Sequence, residues 1–317
     1  MNESNYKDLF NEENRTKYFH HLLVILCVVS VLVFSLFLWG DNLTKKGPVA
    51  RQTKPNPFEN IVLEAEAAVV WDVVNQRVIF SKNPDVPLPL ASLTKVMTAV
   101  TAESLLPDDL DIKISEEHLE PDGDSGLKPG DIWKAKDLRD FTLLTSSNDG
   151  ALALAVIAES RVGNNEIDPR LQFIKNMNKT ALTIGLINSK FFNEHGLDRE
   201  ADRGGAYGSA RDMAVLFEYT LKNHPNILEA TRYENLEFKS TELAYQASNT
   251  NPFINQIPGI IASKTGFTDL AGGNLVVAYD AGLNRPIIIS VLGSSQDGRF
   301  SDTLKLVGAS LDYISNE

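Results

Sequence analysis

Cysteine is almost missing from this chain of 317 residues: Cys27 stands alone, which excludes an internal disulfide framework and any cysteine-rich zinc module. Histidine is scarce as well. His20, His21, His118, His195 and His224 form no H-x-x-x-H pair, so no metal or other cofactor is expected. No run of lysine and arginine occurs, and 30 basic against 42 acidic residues leave a net charge of −12, a poor basis for nucleic-acid binding. Internal repeats are absent. With 43% hydrophobic and 23% charged residues the composition is that of a globular protein rather than a disordered one. The length leaves one large domain or two modest ones open.

The first long feature that is present is apolar. Leu22 to Trp39 is interrupted only by Cys27, Ser30 and Ser35. Eighteen helical residues rise roughly 27 Å, close to the hydrocarbon thickness of a bilayer. A helix apolar on every face has no side for water, so the run predicts a membrane span. It ends Leu38-Trp39-Gly40-Asp41, with a bulky residue where a signal peptide needs small ones, which favours a retained anchor. Lys7, Arg15 and Lys17 precede it and Lys45, Lys46, Arg51 and Lys54 follow, so basic residues do not set its orientation. Residues 41–59 are polar, carry Pro48, Pro55 and Pro57, and read as a semi-extended linker.

From residue 60 onward the chain reads as one unit. Ala67–Val74 and Arg77–Ser81, joined at Asn75-Gln76, predict a β-hairpin. Helices are expected over Leu90–Leu106, Lys136–Leu144, Gly150–Glu159, Pro169–Ile184, Ala210–Lys222 and Thr303–Ile314, and a loop over 107–135. Gly259–Lys264, Asn274–Tyr279 and Pro286–Leu292 read as strands. Two early strands, a helical middle, late strands and a last helix predict an α+β fold: an antiparallel sheet flanked by helices, with a mostly helical subdomain.

Three short strings carry chemistry. Ser92 and Lys95 of Ser92-Leu93-Thr94-Lys95 are spaced i, i+3, so a helix would put the two side chains side by side. A serine hydroxyl is a weak nucleophile until a base takes its proton, and a lysine is that base only when its neutral form is favoured. Leu93, Val96 and Met97 around Lys95 make a desolvated amine plausible. A second S-x-x-K, Ser125 to Lys128, lies in a Gly/Pro/Asp loop where no helix aligns it. The second string is Ser146-Ser147-Asn148, whose pattern also occurs at Ser81-Lys82-Asn83. The third, Lys264-Thr265-Gly266, occurs once and is read as ending a strand. There it would offer a cation and a hydroxyl to an anionic group, with a glycine admitting a ligand backbone.

In this order the three strings are the set found in penicillin-binding proteins and class A β-lactamases. With Pro89-Leu90-Ala91 before Ser92, Leu127-Lys128-Pro129-Gly130-Asp131, Thr145 to Ala151, His195-Gly196-Leu197-Asp198, Ser209-Ala210-Arg211-Asp212-Met213-Ala214, and Lys264 to Asp269 with Ala271-Gly272, residues 60–317 resemble the serine-type D-Ala-D-Ala carboxypeptidases, the low-molecular-mass penicillin-binding proteins. The resemblance implies the β-lactamase/transpeptidase-like fold.

It also implies roles. Ser92 would attack the penultimate D-Ala carbonyl of a peptidoglycan stem peptide, Lys95 would take its proton, and Ser146 would relay a proton to the leaving amine. Asn148 would hold the substrate amide or position Lys95, and Lys264 with Thr265 beside Gly266 would grip the terminal carboxylate. The N–H groups of Ser92 and Phe267 would form an oxyanion hole, and β-lactams would trap Ser92. The family keeps the His195 segment in a structural role, which argues against a triad of Ser92, His195 and Asp198. His118, in a polar stretch, is expected to be solvated. Residues 1–21 are then a cytoplasmic tail, 22–40 the single-pass membrane anchor, 41–59 a linker and 60–317 an extracytoplasmic catalytic domain. The second β-rich domain and C-terminal anchor of many relatives are not expected, and Ser147 and Phe267 depart from residues common in relatives.

Three other readings remain. A murein D,D-endopeptidase would use the same groups on cross-linked peptides. A β-lactamase would need a glutamate in an E-x-x-L-N loop, for which Glu166-Ile-Asp-Pro-Arg lacks the Leu-Asn. A non-catalytic wall-binding protein would have no use for a serine–lysine pair.

Overall fold

The structure, a computed structural model, describes residues 12–43, 55–123, 126–162 and 168–317. Most of the expected cytoplasmic tail and linker, Ser125 of the second S-x-x-K and Glu166 lie outside the described residues. The chain divides into two units, the second running from Pro55 to Glu317.

In the first unit, among the described residues, helix α1 (Glu12–Leu43) contains the apolar run. Thr16–Leu36 is long and apolar enough to cross a membrane, and none of it is buried in the protein. The hydroxyls of Ser30 and Ser35 donate to the carbonyls of Cys27 (2.8 Å) and Leu32 (2.9 Å), so neither needs water as a partner.

The second unit is built around a sheet. Its first strands, β1 (Ala67–Asp72) and β2 (Arg77–Lys82), form the expected hairpin. β1 stops two residues early because the Asp72 carboxylate accepts from the backbone N–H and Nδ2 of Asn75, folding 73–76 into a turn. There follow β3 (Leu88–Pro89), a 3₁₀ turn over Ala91–Leu93 and α2 (Thr94–Glu103). The expected loop 107–135 contains a strand pair, β4 (Asp111–Lys113) with β5 (Ile132–Lys134). It also holds a 3₁₀ turn in which His118 is buried, not solvated. There the His118 Nδ1 accepts from the Ser115 N–H, 3.2 Å away, in a capping box.

The helical region continues with α3 (Ala135–Thr145), α4 (Asn148–Val162) and α5 (Pro169–Ile184). Next come β6 (Lys190–Phe191), β7 (Ala206–Gly208) and α6 (Ala210–Asn223). A hairpin of β8 (Asn235–Lys239) and β9 (Ala244–Ser248), not anticipated, tucks Phe238 and Ala247 inward. The late strands β10 (Ile260–Thr268), β11 (Gly272–Asp280) and β12 (Pro286–Ser294) are longer than expected, as is α7 (Gly298–Ser315).

The main sheet is antiparallel in the order β10-β11-β12-β1-β2, which leaves β10 on an edge. Side chains alternate across it. Ala67 and Val69 of β1 enter one core with Met97, Phe141, Phe173 and Phe217, while Ala68 and Val70 enter the other with Leu306 and Val307 of α7. Helices thus cover both faces, and the antiparallel α+β expectation holds.

One buried carboxylate ties the outer helix to this sheet. Asp302 of α7 accepts from the N–H groups of Glu64 (3.2 Å) and Ala65 (2.8 Å) and from the Ser294 hydroxyl (3.0 Å). Asp302→Ala strands all three donors in the interior and is expected to cost about 3 kcal/mol in urea unfolding. A loss near zero would show that water replaces the carboxylate.

Candidate active site

The site begins at a strained turn. Ala91 has φ +48°, and its carbonyl accepts from the Thr94 hydroxyl at 2.7 Å. The Leu90 N–H is held by the Ala206 carbonyl of β7 at 2.9 Å. Ser92 therefore sits in a 3₁₀ turn rather than in the first turn of an α-helix, half-buried at the entrance to α2. Lys95 follows one turn later, and its side chain is fully buried.

Three oxygens surround Lys95 Nζ: Ser92 Oγ at 2.9 Å, Asn148 Oδ1 at 2.6 Å and the His195 carbonyl at 2.8 Å. The Asn148 amide is oriented by its other end, because Nδ2 donates to the Asp122 carbonyl at 2.5 Å. Two of the three oxygens can only accept. A neutral amine satisfies them with its two hydrogens and has its lone pair left for the Ser92 O–H. Burial, with the Lys264 cation, lowers the Lys95 pKa well below its ordinary value; Glu194 and Asp149 oppose this more weakly. Both ends of the Asn148 amide thus have partners, Oδ1 on Lys95 Nζ and Nδ2 on the Asp122 carbonyl.

Across the site, Ser146 caps the end of α3 in the left-handed conformation, φ +62°. Its hydroxyl accepts from Lys264 Nζ at 2.9 Å, and the same amine donates to the Thr265 carbonyl at 2.9 Å. Burial, then repulsion from Arg299, brings the Lys264 pKa down to about 7. Thr265 is buried with its hydroxyl 2.6 Å from that of Thr250, while Phe267 is 42% exposed.

Lys264-Thr265-Gly266 does not end its strand as expected; β10 runs on to Thr268. The glycine serves a different approach. A Cβ at Gly266 would lie 2.8 Å from the Leu90 carbonyl oxygen and 3.2 Å from the Ser92 nitrogen, so its absence lets the edge strand press against the Ser92 turn.

His195 makes no triad. Its Nδ1 accepts from the Leu197 N–H at 3.1 Å, and its Nε2 lies 3.1 Å from Arg170 Nη2 and 3.4 Å from Glu194 Oε1. Asp198 accepts from the Thr268 hydroxyl and the Leu270 N–H. Burial, with Lys95 and Arg170 nearby, lowers the His195 pKa to about 3, so the ring is neutral at ordinary pH.

Other contributors were not legible. The His195 carbonyl is a backbone atom, and Arg299, whose Nη1 donates to the Gly266 carbonyl at 2.7 Å, belongs to no motif. Asn274, which donates to the Pro89 carbonyl and accepts from the Gly293 N–H, joins β11 to the approach to Ser92. Among the described residues no group of three or more His, Cys, Asp or Glu is placed to hold a metal.

The sequence and the fold have known counterparts. The model of the D-alanyl-D-alanine carboxypeptidase (S11 peptidase) family matches residues 51–296. The chain belongs to that family. It is 32% identical over 77% of its length to D-alanyl-D-alanine carboxypeptidase DacF of Bacillus subtilis, and the match spans 61% of that relative. It is 30% identical to a D-alanyl-D-alanine endopeptidase of Pseudomonas aeruginosa, with 81% of this chain and 82% of the relative covered. Among solved structures, penicillin-binding protein D2 of Listeria monocytogenes, in an ampicillin-bound form, superposes with a TM-score of 0.67 at 27% identity. That match covers 81% of this chain and 99% of that one. The fold of this family member is that of the penicillin-binding proteins.

The two lysines give the site a titration signature. Both amines are lowered when folded, so between about pH 7 and the ordinary value of 10.5 the unfolded chain holds more protons, and their contribution to stability rises with pH. Lysine-resolved NMR should show Lys264 titrating near 7 and Lys95 well below its ordinary value, with Lys264→Met raising the Lys95 midpoint. Two midpoints near 10.5 would contradict the desolvated site.

Proposed function

We propose that this chain is a membrane-anchored serine D-Ala-D-Ala carboxypeptidase acting on peptidoglycan stem peptides. The observation that carries the reading is the Ser92 hydroxyl held 2.9 Å from a buried lysine amine whose other partners are pure acceptors. Lys95 takes the hydroxyl proton as Ser92 Oγ attacks the penultimate D-Ala carbonyl. The N–H groups of Ser92 and Phe267 meet the developing oxyanion, worth about 3–4 kcal/mol per donor in other enzymes. Ser146 accepts a hydrogen bond from Lys264, which leaves its own O–H free to protonate the departing D-Ala nitrogen, and the proton that Lys95 took from Ser92 replaces the one Ser146 gives. Lys264 and Thr265, beside Gly266, hold the terminal carboxylate, which in turn favours the charged form of Lys264. Water then hydrolyses the Ser92 ester and restores the hydroxyl. The ampicillin-bound Listeria relative supports the corollary that β-lactams acylate Ser92.

The same groups serve a D,D-endopeptidase, and the Pseudomonas relative makes that the second reading. For the remainder of the chain, α1 is the single-pass anchor. Residues 1–21 lie in the cytoplasm, 41–59 link, and 60–317 face the cell wall where the substrate is.

Two measurements test this. A fluorescent penicillin should label the wild type and not Ser92→Ala, with a labelling rate that rises as Lys95 deprotonates and falls as Lys264 loses its proton near pH 7. An unlabelled wild type would refute the acyl-enzyme. Mass spectrometry of muropeptides should then show pentapeptides shortened by one D-Ala, whereas cleaved cross-links with intact pentapeptides would make it the endopeptidase.

A further inference from the structure

The segment 193–197 is built with unusual tightness against the nucleophile's helix. Asn193 closes it on itself, its Oδ1 accepting from the Gly196 N–H (2.7 Å) and its Nδ2 donating to the Leu197 carbonyl (2.9 Å). Gly196 has φ +88°, and a Cβ there would fall 1.9 Å from the Ala91 carbonyl oxygen. Thr98, one turn beyond Lys95 on α2, donates to the Glu194 carbonyl at 2.6 Å. The segment thereby sets where the His195 carbonyl, one of the three partners of Lys95, is placed.

Inside this segment lies a carboxylate that the mechanism above does not use. Glu194 is fully buried. Its charged partner is Arg170, from the first turn of α5, whose Nε donates to Oε2 at 2.9 Å and whose Nη2 lies 2.9 Å from Oε1. The same Nη2 sits 3.1 Å from His195 Nε2, and because Nδ1 accepts from Leu197 the Nε2–H of the neutral ring lies 3.4 Å from Glu194 Oε1, so the ring packs against the carboxylate that the guanidinium holds. Arg170 is itself partly open to solvent, its side chain 40% exposed, and its backbone N–H is held by Asp168 at the start of α5. A buried carboxylate persists as an anion only with such a partner.

We propose that Arg170 and Glu194 are positioning residues for Lys95. Their ion pair clamps His195 so that its carbonyl holds the amine, and the Glu194 anion supplies the negative potential that keeps the amine basic. The proton has to be taken by a group that is neutral yet still a competent base, and burial alone drives a lysine too far toward weak basicity. The charged and titratable groups that face Lys95 are Lys264 from β10, Asp149 from the first turn of α4, and Glu194 and the neutral His195 ring from this segment. Lys264 pushes the proton off; Asp149 and Glu194 hold it on. Arg170, 2.9 Å from each carboxylate oxygen, fixes Glu194 in place.

The catalytic consequence rests on the acyl-enzyme reading, but the electrostatic core concerns only the Lys95 amine, so the two can fail separately. In full-length protein in detergent, labelled with [ε-13C]lysine and assigned with Lys95→Ala, Glu194→Gln should lower the Lys95 midpoint by about one pH unit. The acid limb of penicillin acylation should move down with it. Arg170→Met should slow acylation on the order of tenfold through the loosened carbonyl. Arg170→Lys, which keeps a cation beside Glu194, should restore most of that rate. A folded Glu194→Gln chain with an unmoved Lys95 midpoint overturns the electrostatic role, and an Arg170→Met chain as fast as wild type overturns the clamp. If penicillin fails to acylate the wild type, the proposed function falls while the amine titration still decides this inference.

Discussion

An uncharged amine buried among three oxygens is the constraint on which the rest of this molecule depends. Lys95 can touch Ser92 Oγ, Asn148 Oδ1 and the His195 carbonyl together only if α2, the start of α4 and the 193–197 segment converge within a few ångströms. Those three parts of the chain are far apart in sequence and share no secondary structure. What brings them together is the helical core on one face of the sheet, where Val96 and Met97 of α2 pack with Leu138, Phe141 and Leu154. The hydrophobic core thus does electrostatic work. It removes the water that would otherwise keep Lys95 charged and inert.

The edge strand imposes the second requirement. β10 lies at the border of the sheet, so one side of its backbone is free to face Ser92. Gly266 allows contact with Leu90 and Ser92 that any side chain would block, and Arg299 of α7 braces the same peptide from the opposite core. The two lysines make different contacts. Lys95 reaches Ser92 directly, and Lys264 reaches Ser146. Burial lowers both, and the cation at Lys264 adds to the lowering of Lys95.

How much of this was legible in the sequence follows from which contacts are local. The Ser92–Lys95 pair was readable because i, i+3 spacing is a property of one helix, even though the turn at Ser92 proved to be 3₁₀. Most helices were placed within a few residues, since Pro169 and the capping residues Asp168 and Ser209 mark their starts. The strand pair β4–β5 was invisible because three-residue strands carry no periodicity, and His118 was misplaced because a capping contact buries it inside a polar stretch. The strand through Gly266 was cut short because a Lys-Thr-Gly reads as a turn when the neighbour that needs the glycine, the Leu90–Ser92 turn, is some 170 residues upstream. The His195 carbonyl, Arg170, Glu194 and Arg299 act through backbone atoms or tertiary pairs, which no spacing in a single chain encodes.

The claim that Lys95 is the neutral partner of Ser92 can be observed directly. Neutron diffraction from deuterium-exchanged crystals near neutral pH would show where the exchangeable hydrogens lie. The account predicts two on Lys95 Nζ, aimed at Asn148 Oδ1 and the His195 carbonyl, with the Ser92 hydrogen on Oγ pointing at the nitrogen. Three hydrogens on Nζ, one of them directed at Ser92 Oγ, would contradict it.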